Sequence, residues 1–288
     1  MRIVHVCAGL DGNNGMANTA REFVAEERAA GDDAILTNDL AAIASGVDGV
    51  YLHGAWLPLL WRAARRATDV GARLAVRPAG SYDPVRLAYH GWKKRLAAPF
   101  ERRMLRRADV VLATCRAEAD WIRAYAPAAK VELTDLRRFF DLRGDAPPAP
   151  VRRPLRLLYL GRRHPLKGLA WLEAAVRGMD AELRVASAAF GEEKERLWDW
   201  CDALALPTLS ENFGRVVAEA LAHGKRAITT DGAPAWAEGV ALRDLSPEGL
   251  QSGYGGRLVY LTGYRAGTDA ARVRLLKSAI EEVIHDAS

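Results

Sequence analysis

The segment ALALPTLSENFGRVVAEALAHGKRAITT, residues 203–230, indicates the fold of this chain more clearly than any other. Residues 203–206 are apolar, Pro207 ends the run, and a polar turn follows. Apolar residues then recur at spacings of three and four, which predicts a helix that ends at Gly224. Residues 226–230 have the composition of a second strand. The order strand, loop, helix, strand predicts a βαβ unit of a parallel sheet.

The loop of this unit is the expected place for chemistry. The start of a helix presents free backbone N–H groups and a partial positive charge, which suit a phosphate. Asn212 or Ser210 could cap the helix, and Gly214 lets a ligand approach the backbone. Glu211 lies in the loop and Glu219 about two turns into the predicted helix, so one ligand could meet both carboxylates. The alternative is that Glu211 only interacts with the helix dipole in the first turn and that Glu219 is a solvated helix residue.

The run SENFGRVVAEALAHG, residues 210–224, resembles the E-x7-E signature of family 4 retaining glycosyltransferases, which have the GT-B fold. The resemblance implies that Glu211 contacts the donor sugar and that Glu219 contacts the donor ribose. The backbone amides near Phe213 and Gly214 would then face the diphosphate of a nucleotide-sugar.

A second motif, GRRHPLKGL, follows a predicted strand over residues 155–160. Arg162 and Lys167 lie just past the strand end and before a predicted helix, so they could clamp a diphosphate. The alternative is two surface cations. The run resembles G-R-x-x-P-x-K-G-L of the same family, which implies that Arg162 and Lys167 hold the donor diphosphate.

Size and composition allow two domains. The chain has 288 residues, half of them apolar, and a net charge of +5. No run reaches the roughly 18 apolar residues that span a bilayer, and the start lacks the pattern of a signal peptide. The three widely spaced cysteines match no zinc or disulfide framework. We therefore expect a reduced cytoplasmic protein.

The proline-rich run over residues 145–154 predicts a linker. The resemblance implies two Rossmann-like α/β domains facing a cleft, an acceptor domain over residues 1–140 and a donor domain over 155–288, joined by a linker over 141–154. Fewer than 50 residues separate Lys167 from Glu211, with room for one strand and one helix. At least one βα unit of the usual second domain is therefore expected to be absent, and the base pocket stays unpredicted.

The first strand and its loop offer a weaker phosphate site. Residues 2–7 predict a strand, LDGNNG at residues 10–15 a turn, and the following residues a helix. Open α/β sheets often bind phosphate at such a place. Relatives carry a Gly-containing loop here that faces the donor diphosphate, which makes Gly12 and Gly15 candidates. The alternative is a plain turn.

Two further strand ends point to the acceptor. The second strand of the pair at residues 34–37 and 49–53 ends at His53, and a strand over 73–77 leads into RPAGSYDP. Relatives read P-H-G or P-R-G where this chain has Ala79. His53 could equally be a structural histidine. The candidates on the acceptor side are His53, Arg77, Ser81, Tyr82 and Asp83.

Residues 92–107 combine basic and apolar side chains at helical spacing, with Pro99 inside. Such a basic amphipathic helix can lie on an anionic membrane, and several relatives work at membranes on lipid-linked sugars. A solvated helix face is the alternative. No recognised nucleic-acid-binding module surrounds the cluster. If the membrane interpretation is right, the protein is peripheral on the inner face of the plasma membrane.

The expected activity is retaining transfer of a hexose from a nucleotide-diphosphate sugar, with UDP the favoured nucleotide, to a hydroxyl of a glycan or lipid-linked sugar. Glu211, Arg162 and Lys167 would be the catalytic groups, with no metal or other cofactor. By analogy the product is a cell-envelope glycan such as lipopolysaccharide, capsule or exopolysaccharide. The alternatives are an epimerase or hydrolase on the same scaffold, an inactive nucleotide-sugar-binding or scaffold protein, and a basic module that binds nucleic acid or membranes.

Overall fold

The structure is a computed structural model and describes residues 1–10, 14–89, 91–142, 149–187, 189–238 and 249–285. The chain divides into two compact units, Met1–Asp135 and Leu136–Ser288, each built around its own sheet. Over the ranges just given, no helix is both long and apolar enough to cross a membrane.

The first unit has a six-stranded parallel sheet in the order β2-β1-β3-β4-β5-β6. The strands are β1 (Arg2–Cys7), β2 (Asp33–Thr37), β3 (Gly49–His53), β4 (Arg73–Arg77), β5 (Val110–Ala113) and β6 (Val131–Leu133). The helices are α1 (Gly15–Ala29), α2 (Pro58–Val70), α3 (Pro84–Ala88), α4 (Gly91–Arg107) and α5 (Arg116–Tyr125). Its core is formed by the apolar central strands and the helices that cover them.

Helix α2 shows how the sequence sets these elements. Pro58 occupies its first turn, where a missing N–H has no cost, and Gly71 ends it with a φ of 75°. Leu60, Ala63 and Ala67 recur at helical spacing and are fully buried in the core of the unit. The helix therefore covers one side of the sheet with its apolar stripe.

The second unit also has six strands, in the order β11-β12-β10-β9-β7-β8, and β11 alone among the described strands runs antiparallel to its neighbour. The strands are β7 (Leu155–Leu160), β8 (Ala181–Ala186), β9 (Ala203–Leu206), β10 (Arg226–Thr230), β11 (Gly249–Gly253) and β12 (Leu258–Thr262). The helices are α6 (Leu169–Val176), α7 (Gly191–Trp200), α8 (Arg215–Ala222) and α9 (Asp269–His285).

The second unit has the strand, β8, and the helix, α7, that the sequence predicts between its two motifs. Between β8 and β9 the described chain holds one helix, α7, as the sequence predicts. The hairpin of β11 and β12 was not predicted: β11 has glycine at both ends and little strand signal, and the apolar run of β12 was overlooked among the glycines around it. The sequence also predicts a short strand at residues 240–242, which lie outside the described residues. Apolar residues at helical spacing predict a terminal helix over residues 269–285, and α9 has these bounds. It packs on α6 and β12 within the unit.

The capping prediction for α8 is wrong. The helix begins at Arg215, and the capping residue is Gly214, with a left-handed φ of 66° and no side-chain cap. Neither Asn212 nor Ser210 caps it, because the chain reverses at Gly214 before the helix starts. Glu219 consequently lies one turn into the helix and not two, which brings it closer to the loop.

Candidate functional site

Three neighbouring strands of the second sheet end at one place. Strand β9 pairs with β7 on one side and with β10 on the other, all in parallel. Their following loops, residues 161–168, 207–214 and 231–236, therefore lie side by side at the carboxyl edge of the sheet. This edge is where open α/β sheets bind ligands.

Gly168 joins the first two loops. Its φ is +70°, and a Cβ atom at this position would lie 1.9 Å from the carbonyl oxygen of Pro207. Because that space is empty, Leu209 N can donate to Leu166 O at 2.8 Å, and Thr208 Oγ1 donates to the same oxygen at 3.1 Å. The loop that carries Lys167 is thus bonded to the loop that carries Glu211.

Gly232 joins the third loop in the same way. A Cβ atom here would lie 2.1 Å from the carbonyl oxygen of Thr208. Glu211 N donates to Gly232 O at 2.7 Å, and the Thr230 hydroxyl donates to Thr208 O at 2.5 Å. The backbone of Glu211 is therefore fixed from the β10 side.

This arrangement brings Lys167 and Glu211 together. The Lys167 ammonium forms an ion pair with Oε2 of Glu211, and Asn212 N donates to Oε1 at 3.1 Å. The side chains of Lys167 and Glu211 are 12% and 22% exposed, so a ligand can reach both. Arg162 is exposed in the same loop and has no ion pair among the described residues. Tyr159 donates its hydroxyl to Arg162 O at 2.9 Å, which fixes the backbone there.

Trp236 supports the start of α8, a role that sequence reasoning missed. Its Nε1 donates to Phe213 O at 2.5 Å, and its ring stacks on Phe213 with centroids 5.3 Å apart. Trp236, Phe213 and Asn212 are all buried, so at this place a ligand would meet the backbone more than the side chains. The tryptophan in DGAPAW was the available signal, but a sequence does not show what a loop residue packs against.

Glu219 lies between two cations. Lys194 of α7 places its Nζ 2.7 Å from Oε2, and Nη2 of Arg215 lies 3.9 Å from Oε1. Oε2 is shielded from solvent and makes no hydrogen bond of good geometry within the described part of the chain, so its contact with Lys194 is held by charge. Glu219 is therefore an anchored carboxylate and not a freely solvated helix residue.

In the first unit, His53 belongs to a buried chain of hydrogen bonds. Arg77 Nε lies 3.2 Å from His53 Nδ1, His53 Nε2 lies 2.8 Å from His5 Nδ1, and His5 Nε2 lies 2.5 Å from Glu27 Oε2. Burial, and then the Arg77 charge and His5, hold the pKa of His53 well below its usual value.

The direction of this chain follows from its ends. Arginine only donates, so His53 Nδ1 accepts and the neutral ring donates from Nε2 to His5. His5 then donates to the carboxylate of Glu27. His5 and Glu27 were not predicted, although a histidine inside the apolar strand RIVHVC was a signal.

The other acceptor-side candidates make hydrogen bonds within the protein. The Ser81 hydroxyl donates to Pro78 O at 2.6 Å, Tyr82 donates to Glu101 at 2.6 Å, and Asp83 caps α3 through Val85 N at 2.9 Å. Tyr82 and Asp83 are buried, as are His53 and Arg77. These groups shape the loop from within. Their part in acceptor binding stays a prediction.

Two buried glutamates that the sequence did not single out hold this region. Glu101 accepts from Trp56 N, Trp61 Nε1 and the Tyr82 hydroxyl at 3.1, 2.5 and 2.6 Å. Burial raises its pKa despite these donors.

The second, Glu118, accepts from Gly80 N at 2.5 Å and from the backbone N–H and hydroxyl of Thr114. Gly80 follows Ala79, whose φ is 55°. Glu118 therefore fixes the loop where relatives carry P-H-G. In the loop after β1, Gly15 is the exposed first residue of α1, and Gly12 lies outside the described residues.

The apolar side chains of α4 divide into two sets. Met104 and Leu105 are buried, whereas Trp92, Leu96 and Phe100 are 63%, 71% and 58% exposed. The exposed three are spaced by four residues and so form a stripe on the outer face. Exposed cations flank the stripe: Lys93, Arg95, Arg102, Arg103 and Arg106.

Comparisons with known proteins agree with the two-unit α/β fold. The model of a glycosyl transferase 4-like domain matches residues 36–137, and that of glycosyl transferases group 1 matches residues 144–252. Together the two models extend over both units of the chain. No curated protein sequence matches it.

Solved structures extend the likeness over the whole chain. Sucrose-phosphate synthase from Thermosynechococcus elongatus is 14% identical over 98% of this chain and 94% of its own, with a TM-score of 0.65. Anabaena HepE, solved with UDP and glucose, is 15% identical over 99% and 90%, with a TM-score of 0.65. The lipopolysaccharide outer core galactosyltransferase WaaB is 15% identical over 99% and 91%, with a TM-score of 0.56. At such identities the likeness shows the shared GT-B fold.

Proposed function

Because this chain belongs to the family 4-like glycosyltransferases of GT-B fold, we propose that it transfers a hexose from a nucleotide-diphosphate sugar to a hydroxyl, with retention of configuration. The observation that carries the proposal is the Lys167–Glu211 pair at the carboxyl edge of the second sheet. A cation for phosphate and a carboxylate for sugar hydroxyls are held there by bonds between three loops.

The diphosphate would be stabilised by the chain's own groups. Departure of the nucleoside diphosphate builds negative charge, and Lys167, Arg162 and the amides near Gly214 can face it. In other enzymes, one such preorganised donor contributes about 3–4 kcal/mol to the transition state. We propose that these groups supply the charge stabilisation of the leaving group without a metal ion.

The ion pair itself suggests an exchange of partners. Without ligand, Lys167 neutralises Glu211. When a diphosphate arrives, its greater negative charge competes for the ammonium, which frees Glu211 to accept hydroxyl groups of the donor sugar. Glu219, one turn into α8, would accept the ribose hydroxyls.

The nucleotide and the product are proposed from chemistry and likeness together. HepE was solved with UDP and UDP-glucose, and WaaB acts on the lipopolysaccharide outer core, which favours a UDP-sugar and a cell-envelope glycan. The acceptor would be a glycan or a lipid-linked sugar. The reaction would take place in the cytoplasm.

A thermal-shift panel of UDP-, GDP-, dTDP- and ADP-sugars tests donor binding. A ligand at about 100 times its dissociation constant adds about 2.7 kcal/mol to the free energy of unfolding. We expect one nucleotide to stabilise the wild type but neither Glu219→Ala nor Lys167→Ala. A folded wild type that responds to none of the four would favour the inactive scaffold.

Release of nucleoside diphosphate in the presence of glycan and lipid-linked acceptors tests transfer. Glu211→Ala removes the carboxylate proposed to orient the sugar, so turnover should fall about 100-fold. The control is Glu192→Ala, which removes an 89% exposed carboxylate from α7. Proton NMR of the product's anomeric signal tests retention. Conversion of the donor without an acceptor would favour the epimerase or hydrolase.

We also propose that the outer face of α4 rests on an anionic membrane surface, with the protein on the inner face of the plasma membrane. The observation behind this is the exposed stripe of Trp92, Leu96 and Phe100 between cations. The single acidic residue of the helix, Glu101, is buried away from it. Aromatic and aliphatic side chains can enter the interface while each nearby Lys or Arg adds about 1 kcal/mol.

Co-sedimentation with vesicles tests the membrane proposal. We expect binding to vesicles that contain phosphatidylglycerol, weaker binding to pure phosphatidylcholine, and loss of binding in Leu96→Ser. Leu133→Ser, at a 55% exposed leucine of β6, is the matched control. If Leu96→Ser binds the vesicles as well as Leu133→Ser does, the membrane proposal is wrong and the outer side of α4 is a solvated helix face. Retention on DNA at the same salt would favour a nucleic-acid module.

A further inference from the structure

Helices α7 and α8 lie side by side and run in the same direction. Lys194 of α7 meets Glu219 of α8, and one turn later Trp198 stacks on His223 with ring centroids 5.2 Å apart. These two pairs have the same separation in sequence, as two parallel helices in contact require. Glu195 strengthens the contact, with Oε2 3.1 Å from His223 Nε2.

Because the two helices run in parallel, they also begin at the same end of the pair. Phe190 directly precedes α7, and Arg215 is the first residue of α8. Phe190 is 46% exposed, whereas phenylalanine side chains are more often buried. Its ring contacts no other aromatic ring within the described residues. An accessible aromatic face therefore lies beside the start of α8.

Strand order brings the end of β8 next to the end of β7. Phe190 follows β8, and β8 pairs with β7, whose loop carries Arg162 and Lys167. The ribose carboxylate Glu219 lies on the neighbouring helix, one turn beyond Arg215. A nucleotide whose diphosphate lies at the loop after β7 and whose ribose reaches Glu219 would extend its base toward α7.

We infer that Phe190 and Lys194 of α7 complete the nucleoside part of the donor site. This inference rests on the proposed function. Phe190 is assigned as a stacking surface for the base, because every base offers a flat π face to an aromatic ring. It accounts for base binding in a chain whose described residues hold one helix, α7, between β8 and β9.

Lys194 is assigned as a positioning residue. Its ammonium holds Oε2 of Glu219, so the carboxylate keeps one orientation and its other lone pairs can accept ribose hydroxyls. Arg215, at 3.9 Å from Oε1, is too distant to hold the carboxylate alone. Without Lys194 the carboxylate would turn away or be left without a close counter-charge.

Calorimetric titration of UDP tests the role of Phe190. Stacking of a base on an aromatic ring is strong enough that Phe190→Ala should raise the dissociation constant about tenfold. Phe190→Trp, which keeps a ring, should stay within about threefold of the wild type. An Ala variant that binds UDP as tightly as the wild type overturns the stacking role.

A double-mutant cycle tests Lys194. We expect Lys194→Met to raise the dissociation constant of UDP about tenfold in the wild type but less than about threefold in Glu219→Gln, since the lysine acts through that carboxylate. Arg196→Met is the control, because it removes a cation from the exposed side of the same helix. Equal effects in both backgrounds, or tighter binding in Lys194→Met, overturn the positioning role.

The two proposals fail in different ways. If the wild type binds none of UDP, GDP, dTDP and ADP, the proposed function fails, and the α7 residues have no ligand to complete. If the wild type binds one of them and the α7 variants bind it equally well, the proposed function stands and this inference fails.

Discussion

Replacing Gly168 with alanine should separate the two loops that form the donor site. The added Cβ would lie 1.9 Å from Pro207 O, so the loops must move apart by at least 1 Å to reach a tolerable contact. A left-handed alanine costs about 1 kcal/mol. Loss of the bonds that Leu209 N and the Thr208 hydroxyl donate to Leu166 O adds about 0.5–1.5 kcal/mol each. We therefore expect the free energy of unfolding to fall by about 2–4 kcal/mol.

Urea unfolding of Gly168→Ala beside Gly178→Ala measures this effect. Gly178 also has a left-handed φ, of 77°, but a Cβ there would meet no atom within 4 Å. The free energy of unfolding of the control should therefore fall only by the cost of a left-handed alanine, about 1 kcal/mol. The control should bind nucleotide like the wild type. Equal destabilisation of the two variants, or unchanged nucleotide affinity in Gly168→Ala, would refute the view that Gly168 holds the site together.

Three further variants test contacts around the two sheets. Trp236→Phe keeps an aromatic ring on Phe213 but removes the donor to the Phe213 carbonyl. Unfolding in urea should therefore show a free energy of unfolding lower by about 1–3 kcal/mol. Burial lowers the pKa of His53 in the folded state, so the folded protein favours the neutral ring. As pH falls from 6.5 toward the folded-state pKa, the free energy of unfolding should therefore decrease by at most about 1.4 kcal/mol per pH unit. Urea unfolding from neutral pH downward should show that dependence weakened in His53→Gln. Burial raises the pKa of Glu101, so the folded protein favours the protonated carboxyl. Its contribution to the free energy of unfolding is full below the ordinary pKa of 4.5 and is lost as pH rises through the folded-state pKa. Glu101→Gln should remove that slope, and an unchanged slope would contradict the assignment.

Local patterns were enough for the regular elements and for the two-sheet architecture. Strands such as β7 and β9 are short apolar runs with clear ends, and α9 keeps its apolar residues at helical spacing. In the hairpin, β11 was missed because glycine and polar residues fill GLQSG, whereas β12, LVYLT, carries a strand pattern that the prediction overlooked. The cap of α8 was wrong because a left-handed glycine starts the helix, and polar residues nearby could not reveal that choice.

The site was predictable where a motif keeps its residues close in sequence. Glu211 and Glu219 belong to one segment, and Lys167 to another, so their types and spacing could be read directly. Their contact with each other could not be read, since it depends on the close approaches at Gly168 and Gly232. Trp236 and Lys194 act through groups many residues away, and only the packing of loops and helices reveals such partners.

The most direct measurement is calorimetric titration of UDP-glucose onto the wild type and Lys167→Met. Lys277→Met is the control, because it removes a half-buried lysine of α9 that has no ion pair among the described residues. If Lys167 holds the donor diphosphate, its loss should weaken binding at least about tenfold, which is about 1.4 kcal/mol, while the control binds like the wild type. Equal affinity in Lys167→Met and Lys277→Met would contradict the proposed donor site.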